Sequence, residues 1–288
     1  MANGIVIIDK PASWTSMDVC AKIRGILHEK RVGHGGTLDP MATGVLPVFV
    51  GCATRAVEFA ENSRKEYIAG VRFGLTTDTQ DVTGNLLETQ PAAVTRAELE
   101  AILPRFTGEI SQIPPMYSAV KIGGQKLYDL ARKGKEVERK PRSVTIYALE
   151  LLEQTGDGDW MLRCACSKGT YVRTLAHDMG QVLGCGAALS SLRRTVAAGF
   201  TLEQAVTLED VQRMGESLLL PTDRYFAEYP AYTIRSRGQE ARCRNGNPIT
   251  DEALPDGTYR VYGSDGAFLC LSEARDSTLT SVKNFFGA

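Results

Sequence analysis

The sequence has no excess of charge of either sign. Its 288 residues carry 33 Lys and Arg against 34 Asp and Glu, so the formal net charge is −1. A chain this close to neutrality has no global electrostatic attraction for nucleic acid or for an anionic membrane. Affinity for such a partner must therefore come from a local patch of cations.

Long apolar runs and a paired set of cysteines are also missing. The apolar segment at residues 5–8 is far too short for a signal peptide or a membrane span, and no later run reaches a spanning length. The seven cysteines are an odd number, which fits free thiols in a reducing cytoplasm. We therefore expect a cytoplasmic protein that contacts no membrane.

Several motifs of common enzyme classes do not occur. There is no Walker loop, and no G-x-G-x-x-G follows the first strand-like segment, so a nucleotide cofactor is not expected. No G-x-S-x-G occurs, which argues against an ordinary serine hydrolase. Cys164 and Cys166 lie on the apolar face of a predicted strand, and His28, His34 and His177 are scattered. Because a zinc site needs four placed ligands, or three plus water, we expect no metal and no cofactor.

The most distinctive stretch is glycine-rich and contains one carboxylate. It reads Gly33-His34-Gly35-Gly36-Thr37-Leu38-Asp39-Pro40-Met41-Ala42-Thr43-Gly44. Glycine permits backbone conformations closed to other residues, and Pro40 fixes its own φ and favours an extended Asp39. An aspartate on such a stiff turn has two interpretations: it caps the turn, or it performs chemistry there.

Hydrophobic periodicity predicts alternating strands and helices over the first 220 residues. Strands are predicted at residues 4–8, 45–50, 65–73, 142–152, 159–166 and 189–200, and helices near 16–28, 55–62, 95–103, 125–133, 171–182 and 207–214. The Ser167-Lys168-Gly169-Thr170 segment is expected to cap the fifth of these helices. After Pro221 the strands become short and are separated by turn signals, which predicts a small β-rich, barrel-like region.

One segment is locally basic. Residues 121–142 hold eight Lys or Arg against three Asp or Glu. Such a run is often a solvated helix face. Tyr117 and Tyr128 lie in or beside it, however, and aromatic rings among cations suit single-stranded or looped RNA.

Several motifs, in order, resemble the TruB-type pseudouridine synthases. The glycine-rich stretch, continued by Val45-Leu46-Pro47, resembles the catalytic signature of that family. The other matching motifs are Lys10-Pro11, Lys65-x-Tyr67, Ser167-Lys168-Gly169-Thr170-Tyr171-Val172-Arg173-Thr174 and Leu192-Arg193-Arg194. The resemblance covers residues 4–200, and the last part of the chain is similar in size and position to a PUA-like domain.

The resemblance implies an α+β fold. We expect a large mixed, mostly antiparallel sheet flanked by helices, followed by a small C-terminal β-barrel-like PUA domain. Residues 1–222 would form the catalytic pseudouridine synthase domain and residues 223–288 the PUA-like RNA-binding domain.

The reaction that the resemblance implies is isomerisation of uridine to pseudouridine at position 55, in the T-arm loop of tRNA. The glycosidic bond breaks, the base turns, and C5 joins the ribose C1′. Asp39 would be the nucleophile and Arg173 its ion-pair partner, whereas Tyr67 would stack on the target base and take part in proton transfer at C5. No cofactor is needed for this chemistry.

Further residues are expected at the RNA or around the pocket. Because the target base must leave its stack, the resemblance implies that His34 fills the gap, and Leu192 would pack the pocket floor. Asp81 would contact the RNA or order the pocket, and Lys10 would brace the catalytic loop. The remaining candidates for RNA contacts are Tyr171, Lys126, Arg132 and Lys133.

Two alternatives remain beside the tRNA enzyme. One is the guide-dependent branch of the same superfamily, which usually carries extra terminal segments and relies on protein partners. The other is a tRNA-folding chaperone on the same scaffold, either without catalysis or in addition to it. The positions of the motifs within the chain favour a stand-alone monomer that binds the T-arm stem-loop of tRNA and needs no obligatory protein partner.

Overall fold

The structure, a computed structural model, describes residues 2–156 and 158–287. Met1, Asp157 and Ala288 of the two predicted domain ranges lie outside the described residues. The helices are α1 (Ser16–Leu27), α2 (Val57–Glu61), α3 (Arg96–Ile102), α4 (Leu127–Ala131), α5 (Val172–Leu183), α6 (Leu208–Met214) and α7 (Arg237–Arg244). Short 3₁₀ helices span Gly51–Ala56, Leu103–Phe106, Leu202–Gln204, Gly215–Leu218 and Thr222–Phe226.

The strands fall into two large sheets and two small hairpins. The first thirteen are β1 (Gly4–Lys10), β2 (Val32–His34), β3 (Thr43–Val50), β4 (Lys65–Phe73), β5 (Leu75–Thr77), β6 (Leu86–Thr89), β7 (Gly108–Gln112), β8 (Lys121–Ile122), β9 (Gln125–Lys126), β10 (Arg142–Gly156), β11 (Asp159–Cys166), β12 (Ala187–Ala197) and β13 (Phe200–Thr201). The last five are β14 (Ala231–Thr233), β15 (Ile249–Thr250), β16 (Gly257–Tyr262), β17 (Phe268–Arg275) and β18 (Thr278–Asn284).

The larger sheet has the strand order β1-β3-β12-β4-β11-β10-β7, with β2 added to β3 and β13 to β12. Its β3–β12 pair is parallel, whereas its other described pairs are antiparallel. The mixed, mostly antiparallel sheet flanked by helices is therefore confirmed. The parallel pair aligns Arg194 with Gly44, and so places the end of β12 against the glycine-rich stretch.

The central strands alternate as their sequence predicts. One face of β4 and of β11 is buried, and it presents Tyr67, Ala69, Val71 and Phe73 together with Trp160, Leu162, Cys164 and Cys166. Helix α5 packs on this face through Leu175 and Met179. Leu38 and Ala42 of the glycine-rich stretch join the same cluster. The stretch around Asp39 is thus anchored on the main core.

A second layer covers the other end of the sheet. Helix α1 begins at a capping box, in which Thr15 and Asp18 bond each other's backbone N–H groups. Its buried residues Val19 and Ile23 pack with α6 against β1 and β3. This packing fixes the strand that leads to Lys10 and the strand that follows the glycine-rich stretch.

The C-terminal region forms a five-stranded sheet in the order β14-β16-β17-β18-β15. This bears out the prediction of a β-rich region, and helix α7 is inserted in it. Phe226, Phe268 and Phe285 contact one another and share a core cluster with Ile5 and Phe49 of the larger sheet. The predicted boundary at residue 222 falls at the 3₁₀ turn that leads to Phe226.

The predicted helix over residues 125–133 is confirmed only for Leu127–Ala131, and its predicted start is wrong. Gln125 and Lys126 form β9, which pairs with β8 across Gly123 and Gly124, and the helix that follows spans only Leu127–Ala131. Both glycines have positive φ, +58° and +82°, which favours a two-residue hairpin turn over a helix start. Among the helices described, none is long and apolar enough to cross a membrane.

Candidate active site

Asp39 and Arg173 are 134 residues apart in the chain and form an ion pair. Arg173 Nε donates to Asp39 Oδ2 at 2.8 Å, and Nη2 donates to Oδ1 at 3.2 Å. The Arg173 side chain is only 4% exposed, whereas that of Asp39 is 34% exposed. Two parallel hydrogen bonds orient the carboxylate strongly. The pair therefore places a partly exposed carboxylate on a buried guanidinium.

Two backbone carbonyls complete the surroundings of Arg173. Its Nη1 donates to Thr79 O at 2.8 Å, and its Nη2 donates to Tyr117 O at 2.9 Å. These contacts matter because an unsatisfied buried donor costs about 1–3 kcal/mol. Sequence reasoning missed both contacts, since a carbonyl acceptor is present at every position and leaves no signal.

Asp81 supports this arrangement from the polar loop after β5. It is buried, and its Oδ1 accepts bonds from Thr79 Oγ1 at 2.9 Å, Thr83 N at 2.9 Å and Thr83 Oγ1 at 2.6 Å. Its Oδ2 lies 3.8 Å from Arg173 Nη1. These contacts order the loop that supplies the Thr79 carbonyl. A direct contact of Asp81 with RNA stays a prediction.

The first turn of α5 is held by a side-chain clasp. The buried Gln112 donates from Nε2 to Tyr171 O at 3.2 Å, and its Oε1 accepts from Tyr171 N at 3.0 Å.

The predicted cap from residues 167–170 is wrong: Tyr171 is the N-cap and makes no side-chain capping bond. Thr170 Oγ1 instead donates to Ser167 O at 3.0 Å, a local turn that competes with capping. Burial raises the pKa of Tyr171.

Lys10 anchors the peptide that follows Asp39. Its side chain is fully buried, and Nζ donates to Pro11 O at 2.9 Å, Trp14 O at 2.6 Å and Pro40 O at 3.2 Å. Burial lowers its pKa to about 8. The three acceptors use all three N–H groups of an ammonium. Lys10 thus braces the loop and leaves no donor for a ligand.

Tyr67 and Leu192 lie on neighbouring strands beneath the glycine-rich stretch. Both are buried, and both share the core cluster of Leu38 and Ala42. Burial raises the pKa of Tyr67 to about 12. Its phenol is therefore neutral near pH 7 and presents an apolar ring with one hydroxyl.

His34 ends β2, where it pairs with Val48. Its Nδ1 is buried, and among the described residues it has no hydrogen-bond partner. Burial, together with the positive charge of Arg194, lowers its pKa. The imidazole is thus neutral at pH 7, one residue before the glycines that lead to Asp39.

The three predicted RNA-binding cations do not join the Asp39 group. Lys126 Nζ donates to the Tyr128 hydroxyl at 2.8 Å, and the Arg132 guanidinium lies 5.3 Å from the centre of the Tyr128 ring. Lys133 follows as an exposed residue. These residues form a separate surface, which we call the basic hairpin surface and which comprises Lys126, Tyr128, Arg132 and Lys133. It connects to the ion pair through the chain segment that supplies the Tyr117 carbonyl.

The buried Lys10 makes stability depend on pH in an unusual direction. Its folded pKa of about 8 lies below the ordinary lysine value of 10.5. Between these values the unfolded chain holds a proton that the folded chain has released, so the free energy of unfolding rises with pH. As the pH rises from 7.5 to 10, we expect the free energy of unfolding of wild type to increase relative to that of Lys10→Met.

Urea unfolding at several pH values measures this difference. Lys22→Met, which removes an exposed lysine of α1, is the matched control. A difference for Lys10→Met that stays constant over the same range would contradict the assignment of a lowered pKa to Lys10.

Matches to family models define the class of the protein. Residues 24–172 match the model described as "TruB family pseudouridylate synthase (N terminal domain)". Residues 173–226 match the model described as "tRNA pseudouridylate synthase B C-terminal domain". Asp39, Tyr67 and Asp81 lie in the first range and Arg173 in the second. The protein is therefore of the pseudouridylate synthase class.

Curated relatives narrow the class to one family. The chain is 45% identical over 283 residues to tRNA pseudouridine synthase B of Stutzerimonas stutzeri, an alignment that covers 95% of this chain and 92% of the relative. It is 44% identical over 286 residues to the protein of the same name from Syntrophomonas wolfei, with 95% and 94% covered. The chain belongs to the TruB family of pseudouridylate synthases.

Solved structures support the fold. A crystal structure of a Cbf5–Nop10–Gar1 complex contains a chain that matches with a TM-score of 0.74 at 26% identity, over 99% of this chain and 85% of that one. A structure of an H/ACA RNP bound to a substrate RNA containing 2′-deoxyuridine matches with the same TM-score at 24% identity, over 99% and 86%. The architecture is the pseudouridine synthase fold.

Proposed function

We propose that this chain isomerises uridine 55 to pseudouridine in the T-arm loop of tRNA. The observation that carries the proposal is the ion pair between Asp39 and Arg173 on a glycine-rich loop, in a chain about 45% identical to proteins named tRNA pseudouridine synthase B. We further propose that the enzyme acts in the cytoplasm as a monomer, without an obligatory protein partner.

The proposed chemistry begins at the sugar of the target nucleotide. As the glycosidic bond breaks, positive charge develops on the ribose, and a carboxylate can stabilise or trap it, as in retaining glycosidases. Asp39 either adds to C1′ or first removes a sugar proton. Both routes need an ionised and oriented carboxylate, and the paired guanidinium of Arg173 favours that state.

The base must then turn and rejoin through C5. N1 keeps the electron pair of the broken glycosidic bond. C5 then bonds to C1′, and it displaces the Asp39 oxygen if Asp39 has added there; if Asp39 has instead removed a sugar proton, that proton returns to the sugar. The hydrogen on C5 leaves as a proton, so its electron pair restores the double bond of the ring, and N1 takes up a proton. We assign stacking on the base, and a proton-transfer role at C5, to Tyr67. Leu192 would close the floor of the pocket, since it is buried beside Tyr67 in the same cluster.

The target nucleotide has to leave the folded T-arm loop before this chemistry. We assign to His34 the gap that the flipped nucleotide leaves. A neutral imidazole can stack on neighbouring bases without placing an additional charge among them.

Two further parts of the chain are assigned to RNA. We propose that residues 223–288, which include the five-stranded sheet, act as a PUA-like RNA-binding domain beside the catalytic domain of residues 1–222. We propose in addition that the basic hairpin surface and Tyr171 contact the tRNA. In the basic hairpin surface, Lys126 and Arg132 lie over the Tyr128 ring, an arrangement that suits phosphates and unpaired bases.

Neutralising the basic hairpin surface tests its part in binding. The triple variant Lys126→Gln, Arg132→Gln, Lys133→Gln is expected to raise the Kd for a T-arm hairpin and to flatten the dependence of log Kd on log salt. Each lost phosphate contact should reduce the slope by about 0.7–0.9. Filter binding between 50 and 200 mM salt, about the range over which such slopes are resolved, measures both quantities.

A matched triple controls for the loss of charge alone. This control variant carries Lys22→Gln, Lys30→Gln and Arg105→Gln, and so loses three exposed cations of other segments. Its slope of log Kd against log salt should stay close to that of wild type. If the two triples behave alike, the basic hairpin surface is not part of the RNA interface.

The activity itself is tested by tritium release from uridine C5 in an isolated T-arm hairpin. Wild type is expected to release the label from the uridine that corresponds to position 55. If the label is retained while the hairpin is bound, the proposed reaction is wrong, and the chain would act instead as an RNA-binding or RNA-folding factor.

A further inference from the structure

Arg194 is a buried cation on β12 that faces the glycine-rich stretch. Its side chain is 1% exposed. Nη2 donates to Gly36 O at 3.1 Å, and Nη1 to Thr37 O at 3.4 Å. Nε donates to Val45 O at 2.7 Å. One guanidinium therefore bonds the chain both before and after Asp39.

The burial of this charge is not balanced by an acid. In the parts of the chain that the structure describes, the carboxylates that form ion pairs do so with other cations, and Arg194 makes its side-chain bonds to carbonyls alone. A buried guanidinium without a carboxylate is costly. An apolar residue would pack this position at lower cost, so the contacts that Arg194 makes indicate a role other than general stability.

The backbone of Arg194 limits the loop from the same side. Gly44, its partner in the parallel register, has a φ of +102°, and a Cβ built there would lie 2.2 Å from Arg194 O. Only glycine fits at this distance. Arg194 thus holds both ends of the loop. Its side chain bonds the end at Gly36 and Thr37, and its backbone lies against the end at Gly44.

Arg194 also reaches Tyr67. The two residues are paired across β12 and β4. The positive charge of Arg194 opposes the rise in the pKa of the Tyr67 phenol that burial causes. Arg194 therefore connects the loop of Asp39 with Tyr67.

We propose that Arg194 is a positioning residue that sets the distance between the Asp39 loop and Tyr67 for the isomerisation. The proposal rests on the proposed function. Arg194 touches neither the sugar nor the base, and it acts through the carbonyls of Gly36, Thr37 and Val45. Its loss should displace the loop while it leaves the basic hairpin surface unchanged.

The expected signature is a loss in kcat without a loss in binding. Arg194→Met should lower the single-turnover rate of tritium release by about 10²-fold, the size of effect produced by a misplacement of about 1 Å. The Kd for the T-arm hairpin should stay close to that of wild type. Arg194→Lys, which keeps the charge but replaces the planar fork of donors by a single ammonium, should recover part of the rate.

Arg72→Met is the matched control. Arg72 lies on β4 of the same sheet and bonds Asp159 in a bidentate pair. Arg72→Met therefore removes a guanidinium from the sheet without affecting the Asp39 loop. Its rate should equal that of wild type. All variants are compared below their measured unfolding temperatures.

The outcomes separate the two proposals. If wild type and Arg72→Met release no tritium, the proposed function fails. If they release it, and Arg194→Met either keeps the wild-type rate or loses RNA binding instead, the positioning role is wrong. Should Arg194→Met not fold, Arg194→Lys decides: a rate at least tenfold below wild type with unchanged Kd supports the role, and a wild-type rate overturns it.

Discussion

Replacement of Asp39 by asparagine is expected to reduce tritium release by more than about 10³-fold while RNA binding is retained. The amide has nearly the size of the carboxylate and can still accept a bond from Arg173, which donates through both Nε and Nη2. It carries no negative charge, however, and can neither trap nor stabilise a cationic sugar. Single-turnover tritium release and filter binding on the same preparation measure the two effects.

The chain offers a matched control for this substitution. Asp159 accepts bonds from Arg72 on both carboxylate oxygens, on the same sheet, so Asp159→Asn breaks a similar pair away from the glycine-rich loop. It should leave the rate unchanged. An active Asp39→Asn variant would refute the assignment of the nucleophile, and a variant that neither reacts nor binds would indicate that Asp39 maintains the fold of the loop.

Removal of the Arg173 guanidinium is expected to have the second largest effect. Arg173→Met leaves the carboxylates of Asp39 and Asp81 without their cation, and it leaves the carbonyls of Thr79 and Tyr117 without donors. The break of a buried pair costs about 3–5 kcal/mol. The free energy of unfolding should fall by about that amount, and kcat should fall by about 10²-fold or more because Asp39 loses its orientation.

Arg173→Lys separates charge from geometry. A lysine restores the charge but cannot form the fork of two parallel bonds, so it should recover more stability than kcat. Arg72→Met again serves as the control, since a solvent-exposed pair contributes only about 0–1 kcal/mol. Urea unfolding and single-turnover rates measure the two quantities. A wild-type kcat in Arg173→Lys would show that the orientation of Asp39 does not depend on the fork.

The alternating strands were the part of the fold that the sequence could predict well. Tyr67 and Trp160 both fall on the buried face that the period of two predicts for β4 and β11. The basic segment was harder, because Gly123 and Gly124 suit a hairpin turn as well as a helix start, and the charges around them have no preference between the two. The structure has the hairpin, in which both glycines adopt a positive φ.

The candidate site could be predicted only in part. Asp39 stood out by its glycine-rich turn, and Arg173 followed from the resemblance rather than from its helical position. The Gln112 clasp and the bonds of Arg194 join residues 59 to 158 positions apart. No periodicity or propensity in a single sequence encodes such contacts, because they depend on which strands become neighbours.

The most direct test of the account is tritium release from a full-length tRNA transcript in which only uridine 55 is labelled at C5. We expect wild type to release the label to completion, Asp39→Asn to retain it while bound, and a transcript labelled at other uridines to keep its label. Release from the other uridines with retention at position 55, or release by Asp39→Asn at the wild-type rate, would contradict the account.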